Sequence, residues 1–357
     1  MDRKALLFFV IVILILGSMI MISAQAAVYL RQGGDPSVAI VKILVKLFLG
    51  VILFSIFSTF KYTVHKDLVW HYYIISLVLL IGAFLLSKGV HRWLMVGPFS
   101  LQPSEFSKIV VILLIAKYIE ENQERMNTFR YGILKPFLLV LPIILLIFAE
   151  PDLSTSLLIT VLVILMIYTA GARLLYIFSM IGTGAGGIYL LYLSGFIHSY
   201  QIERLKAFLS RQMQSQVLLS LSAAKSGGIL GKGIGLGNLK VLVPVSESDF
   251  IISIIGEEMG ILGIIAVVAA YLGLVWSMIK LAEKVVEDKF AQFFVYGYAY
   301  LIALHVMVNF GVSTGILPVT GITLPFISRG GSSYLSFMMG LGIVVNIIYG
   351  KREEEES

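Results

Sequence analysis

The sequence has no cysteine, only five histidines and three tryptophans, and few charges: Asp, Glu, Lys and Arg make up 13% of its 357 residues. The missing cysteine excludes a disulfide framework and any thiolate metal site, and His65, His71, His91, His198 and His305 are too scattered for a metal cluster. So few charges cannot cover a water-soluble globule of this size. Hydrophobic residues make up 58% of the chain, and mean hydropathy is +0.94, values that belong to a protein embedded in lipid. The net charge of +6 does not point to nucleic acid, because Lys and Arg sit in short loops between apolar runs rather than on one soluble face.

From Ala5 to Leu30 there is no charged side chain. That run exceeds the roughly 20 apolar residues that cross a bilayer and is too long for a signal-peptide core, so it predicts a retained helix. Apolar stretches near 5–26, 38–60, 69–87, 103–118, 136–149, 153–171, 174–194, 249–279, 291–314 and 330–350 predict ten spans in all. The fold class is all-α, a polytopic membrane protein forming a single domain over 1–357. Placing both termini in the cytoplasm gathers Arg3, Lys4, Lys61, Lys66, Arg125, Arg130, Lys284, Lys351 and Arg352 inside. The short outer loops then carry only Arg31, Lys88, Arg92 and Arg329, as the positive-inside rule requires. The stretch 136–149 is short, which leaves open a re-entrant pair around the Glu150-Pro151-Asp152 turn. One long extracytoplasmic loop, 195–248, combines an amphipathic stretch (Ile202, Leu205, Phe208, Leu209) with a glycine-rich run from Gly227 to Gly237.

In this topology the unusual polar sequences fall on the outer side, where loops on a rigid scaffold carry function. Asp249 opens the eighth span and can act as a base with a raised pKa, or equally as a helix cap with Ser246. Glu257 and Glu258 lie deeper and point in different directions, which predicts structural partners inside the bundle rather than a catalytic pair. Glu105 and Lys108, three residues apart in a first turn opened by Pro103, are placed to pair with each other. Alternatively, Lys108 with Arg92 and Lys88 lines an anion site. The run Gly231 to Gly237 has the look of a phosphate loop, but Lys232 is followed by Gly233 rather than Ser or Thr. Flexible backbone or close helix approach is the better account of its glycines.

The stretch from Arg92-Trp93 through Gly97-Pro98-Phe99-Ser100-Leu101-Gln102-Pro103-Ser104-Glu105-Phe106 resembles a motif of the SEDS family of shape, elongation, division and sporulation proteins, which includes RodA, FtsW and SpoVE. So do Glu150-Pro151-Asp152-Leu153-Ser154-Thr155, Gly227-Gly228 with Gly231-Lys232-Gly233, Ser248-Asp249-Phe250-Ile251 and Gly256-Glu257-Glu258-Met259-Gly260. The series ends with Asn309 to Gly315, Leu317 to Gly321 and Leu324 to Ser333. In order, these motifs span residues 92 to 333. Three stretches depart from the pattern: Pro244-Val245-Ser246-Glu247-Ser248-Asp249 lacks the glutamate after proline, Leu219-Ser220 replaces a Gln-Ser pair, and Ser328-Arg329-Gly330-Gly331 carries Arg329 where tyrosine is usual.

The resemblance implies a peptidoglycan glycosyltransferase of the bacterial cytoplasmic membrane that polymerises lipid II at the outer face, beside a class B penicillin-binding protein and among membrane lipids. It implies Asp249 as catalytic base. Arg92, Trp93, Gln102, Glu105, Lys108, Lys232, Ser328 and Arg329 become the candidate substrate-binding residues. No cofactor is implied; a divalent cation stays open, with no compact ligand cluster to hold it. Two other readings compete: a lipid II flippase, for which Glu257, Glu258 and Lys46 are the only near-midplane charges, and a non-catalytic scaffold for the crosslinking partner.

Sidedness underlies every assignment, and the cysteine-free background makes it testable. A cysteine replacing Ser226 should be labelled by a membrane-impermeant thiol reagent on intact cells, and one replacing Asn127 only after the membrane is opened. The reverse pattern would put the glycine-rich loop in the cytoplasm.

Overall fold

A computed structural model describes residues 3–31, 33–86, 92–96, 99–193, 215–239, 242, 248–285 and 287–355. Lys88, His91, Gly97-Pro98, the amphipathic stretch 202–209 and Pro244 to Glu247 lie outside the described residues. Among the described residues, ten helices of 15 residues or more occupy the ten apolar stretches. They are α1 (Arg3–Arg31), α2 (Pro36–Thr59), α4 (Val69–Leu86), α5 (Pro103–Asn122), α6 (Lys135–Ala149), α7 (Leu153–Thr169), α8 (Leu174–Leu193), α10 (Ile251–Ala282), α11 (Lys289–Ser313) and α12 (Gly331–Glu355). Two short helices, α3 (Tyr62–Asp67) and α9 (Ser215–Ser226), join them. Seven of these segments are long and apolar enough to cross a membrane. β-Branched runs such as Val10-Ile11-Val12-Ile13 in α1 are poor helix formers in water. In lipid the helix prevails, because it is the one arrangement that satisfies each backbone group within its own segment.

Two features differ from the sequence reading. A π-helical turn, Arg130–Leu134, runs directly into α6 and extends that apolar segment to 20 residues, Arg130–Ala149. The span is therefore not short; its first turn was hidden by Arg130 and Gly132. A small antiparallel hairpin, β1 (Leu94–Val96) with β2 (Phe99–Leu101), also precedes α5, in register Leu94 to Leu101.

The chain divides into two compact units, residues 1–54, 203–278 and 302–339, and residues 55–202, 279–301 and 340–357. In the second, α4 packs on α5, with Ser76 Oγ 2.7 Å from Ser107 Oγ, and α6 packs on α7. Asn346 there joins the end of α2 to the start of α3, accepting from the Tyr62 amide at 2.8 Å and donating to the Ser58 carbonyl at 2.7 Å.

The first unit is organised around a break in α10. Gly260 has φ +67°, ψ −166°, so the helical ladder is interrupted there. The loop after α9 supplies the missing partners: Ile261 and Leu262 amides donate to the carbonyls of Gly228 (3.0 Å) and Ile229 (3.3 Å). In return the carbonyls of Glu257 and Glu258 accept from the amides of Lys232 (3.0 Å) and Gly233 (2.9 Å). Such approach needs glycine: a Cβ on Gly231 (φ +82°) would sit 2.2 Å from the Glu258 carbonyl oxygen. The expected close approach to a helix is thus what the glycine run provides.

Gly228 shares the left-handed backbone (φ +59°) but has open space around it. Gly228→Ala should lower stability by about 1 kcal/mol through backbone strain alone. Gly231→Ala should add roughly 1–3 kcal/mol of overpacking. Thermal unfolding of the two variants in detergent checks this, and equal effects would contradict the backbone exchange.

Candidate active site

In the first unit, Asp249 lies half-buried in the turn Ser248–Phe250 immediately before α10. Its backbone is gripped from several directions. Asn309, fully buried on α11, donates through Nδ2 to the carbonyls of Asp249 (3.2 Å) and Ile322 (2.8 Å). Ser313 Oγ lies 3.5 Å from the same Asp249 carbonyl. Ser328 Oγ donates to the Ser248 carbonyl (2.8 Å) and accepts from the Leu324 amide (2.9 Å). The 309–333 region therefore holds the peptide units around Asp249. Gly321 faces the carboxylate itself: a Cβ there would lie 4.0 Å from Asp249 Oδ2, so a larger side chain would crowd it.

The Ser328–Arg329 turn is itself held. Lys46, in the middle of α2, donates to the carbonyls of Ser328 and Arg329, each at 3.2 Å, and to Met21 Sδ at 3.3 Å. Its ammonium also lies 4.8 Å from the Tyr334 ring centroid. An ammonium within a span is costly unless its donors are used, and here all three have acceptors. Arg329 is exposed. Ser328 is 3% exposed, with its hydroxyl already donating and accepting, so it serves the turn.

Glu257 and Glu258 have the structural partners expected of them. Glu257 Oε1 accepts from Lys232 Nζ (2.9 Å) and from the amides of Asn238 and Leu239 (2.8 Å each), while Ser23 Oγ donates to Glu258 Oε1 at 2.5 Å. Lys232 also donates to Ser226 Oγ (2.7 Å). Its ammonium is thus engaged by Glu257 and the end of α9, which makes it an anchor of the glycine-rich loop.

The remaining candidates lie in the second unit. Arg92 donates through Nε to the Glu150 carbonyl (2.9 Å) and through Nη2 to the Pro151 carbonyl, and its Nη1 stands 4.0 Å from Asp152 Oδ2. Gln102 Nε2 reaches Asp152 Oδ2 at 3.4 Å, and Asp152 Oδ1 caps α7 through the Thr155 amide (3.2 Å). Arg92 and Gln102 therefore converge on the Glu150–Asp152 turn. Trp93 beside them is 38% exposed. Glu105 and Lys108 form the buried i,i+3 ion pair that their spacing allows, at 2.8 Å.

Glu150 is fully buried, and neither carboxyl oxygen has a hydrogen-bond partner among the described residues. Burial first, and the neighbouring Asp152 second, push its pKa from 4.5 up to about 8, against the pull of Arg92. It is therefore largely a neutral acid at pH 7. The sequence pointed to the Glu150 turn but not to that state, and it gave Asn309 no role of its own.

The family described as cell cycle protein, covering FtsW, RodA and SpoVE, matches residues 3–353. A probable peptidoglycan glycosyltransferase FtsW of Trichlorobacter lovleyi is 37% identical over 286 residues, 78% of this chain and 73% of that protein. Stage V sporulation protein E of Bacillus subtilis is 35% identical over 282 residues, 77% of this chain and 76% of that protein. Among solved structures, a chain of a peptidoglycan synthase complex that coordinates polymerization and crosslinking aligns with TM-score 0.79 and 26% identity, covering 100% of this chain and 99% of that one. The rod shape determining protein RodA of Thermus thermophilus aligns with TM-score 0.70 and 25% identity, covering 98% and 97%.

The Glu150 carboxyl gives a pH signature. Its folded pKa is raised, so the folded state holds a proton that the unfolded state releases, and stability falls as pH rises from about 4.5 to about 8. Above that window both states are ionised and the dependence flattens. Glu150→Gln should remove this part of the slope, making the melting temperature in detergent less sensitive to pH across the window. Identical pH profiles for the variant and the native chain would contradict a buried neutral acid.

Proposed function

Because this chain belongs to the FtsW, RodA and SpoVE family of cell cycle proteins, we propose that its peptidoglycan glycosyltransferase activity uses Asp249 as the general base that elongates a glycan strand from lipid II. The protein is a multi-pass protein of the bacterial cytoplasmic membrane acting in cell-wall synthesis. In our reading both termini are cytoplasmic and the chemistry faces outward. Asp249 takes the proton of the acceptor's sugar hydroxyl. The freed oxygen attacks the donor's anomeric carbon, the bond from that carbon to the pyrophosphate oxygen breaks with inversion, and the electron pair leaves on undecaprenyl pyrophosphate.

One observation carries this reading: the backbone around Asp249 is fixed by Asn309, Ser313 and Ser328, while glycine at 321 leaves its carboxylate uncrowded. A base needs such pre-positioning, since a displacement of about 1 Å is enough to cost large factors in rate. Arg329, exposed on the turn that Lys46 holds, is our candidate to neutralise the leaving pyrophosphate. Arg92 and Gln102 are assigned to shaping the Glu150–Asp152 turn, and Glu105 to holding the buried Lys108 side chain. The crosslinking partner is a class B penicillin-binding protein, a reading supported by the likeness to the synthase complex. A carrier reading finds less support: Glu257 is locked to Lys232 and Lys46 to backbone carbonyls.

Asp249→Asn keeps the shape and removes basicity. Polymerisation by the purified variant should fall by roughly 100-fold or more, with expression and thermal stability nearly unchanged. Full activity in that variant would end the assignment.

A further inference from the structure

The second unit holds a cluster of cations that the glycosyltransferase reading does not use. Where α5 ends, the chain passes through Gln123–Arg125 and the π turn into α6, and three basic side chains gather on one ring. Lys135 Nζ lies 4.1 Å from the Tyr131 centroid, and the guanidinium carbons of Arg125 and Arg130 lie 5.3 and 6.0 Å from it. Arg125 Nη1 also donates to the Tyr131 hydroxyl at 3.3 Å. Tyr131 is fixed in turn, with its carbonyl accepting from Tyr118 OH at 2.8 Å.

Two other basic side chains of this unit pair with acids, Lys66 with Glu120 at 2.6 Å and Lys280 with Glu283 at 2.9 Å. Among the described residues, none of Arg125, Arg130 and Lys135 has a carboxylate within 4.0 Å, although Glu124 is a sequence neighbour. The ring faces offset only part of the mutual repulsion. Arg130 and Lys135 moreover sit in the first turns of a span, the end whose dipole favours an anion. Phe129, 47% exposed, lies edge-on to Tyr176 at 5.6 Å beside them, an aromatic pair of the kind found at the membrane boundary.

We propose that Arg125, Arg130 and Lys135 form a binding site for the phosphate of an anionic phospholipid headgroup, with exposed Phe129 against the acyl boundary. The chemistry recognised is a phosphate ester. A membrane lipid is favoured over a free phosphate because the cations open at the start of a membrane-spanning segment, next to an exposed aromatic. The inference does not depend on Asp249 or on the direction of the reaction.

The test uses the full chain, stripped of lipid in a neutral detergent and titrated with phosphatidylglycerol, phosphatidylcholine or inorganic phosphate, with bound lipid read by native mass spectrometry and by melting temperature. The native chain should retain phosphatidylglycerol selectively. The triple variant Arg125→Gln, Arg130→Gln, Lys135→Gln should bind it on the order of 100-fold more weakly. A control removing the same number of charges, Lys280→Gln, Lys284→Gln, Lys289→Gln, should bind nearly as the native chain does. If the triple variant does not fold, Lys135→Gln alone should still weaken binding several-fold. Equal loss in the control would reduce the effect to general surface charge and overturn the site. Unchanged binding in the triple variant, or inorganic phosphate matching the lipid, would overturn it too.

Discussion

A helix inside a bilayer has no water to satisfy a broken backbone ladder, so a break in α10 demands partners from elsewhere in the protein. The break at Gly260 is filled by four backbone bonds with the Gly228–Gly233 loop, which ties the glycine-rich segment to the helix that begins just after Asp249. The side chain of Glu257 makes the same connection a second time. Its carboxylate is fully buried, and Lys232 with two loop amides satisfies one of its oxygens. With four backbone bonds and this side-chain connection, the loop and the helix form one element, and Asp249 stands at its start.

A second set of contacts acts on the Asp249 peptide itself. Asn309, Ser313 and Ser328 bind carbonyl oxygens and not the carboxylate, which leaves the acid's chemistry to its surroundings while fixing its position. Lys46 extends this set into α2 by holding the turn that carries Ser328 and Arg329.

The helices were legible because long apolar runs in a chain with so few charges have no alternative. Boundaries failed where polar residues lie inside an element: Arg130 and Gly132 disguised the first turn of the α6 segment, and strands of three residues give no periodic signal. In the site, Asp249 was visible as an acid at a helix start, and Glu105 with Lys108 as a pair by spacing. Lys232 was a substrate-binding candidate by resemblance alone, and its contact with Glu257, 25 residues away, lies beyond any local pattern. Lys46 gave no usable signal, since the carbonyls that hold it are 282 and 283 residues distant. Ser328 was selected by resemblance, yet both faces of its hydroxyl serve the fold.

In the proposed function it is this chain, and not its crosslinking partner, that forms the glycosidic bonds. The most direct measurement incubates the purified chain with purified lipid II, alone and with a cognate penicillin-binding protein, and resolves the products by size. Glycan strands longer than the substrate, formed by the chain alone or only in the presence of a partner whose own activity is crosslinking, are the predicted result. Lipid II recovered intact in both conditions would contradict the account.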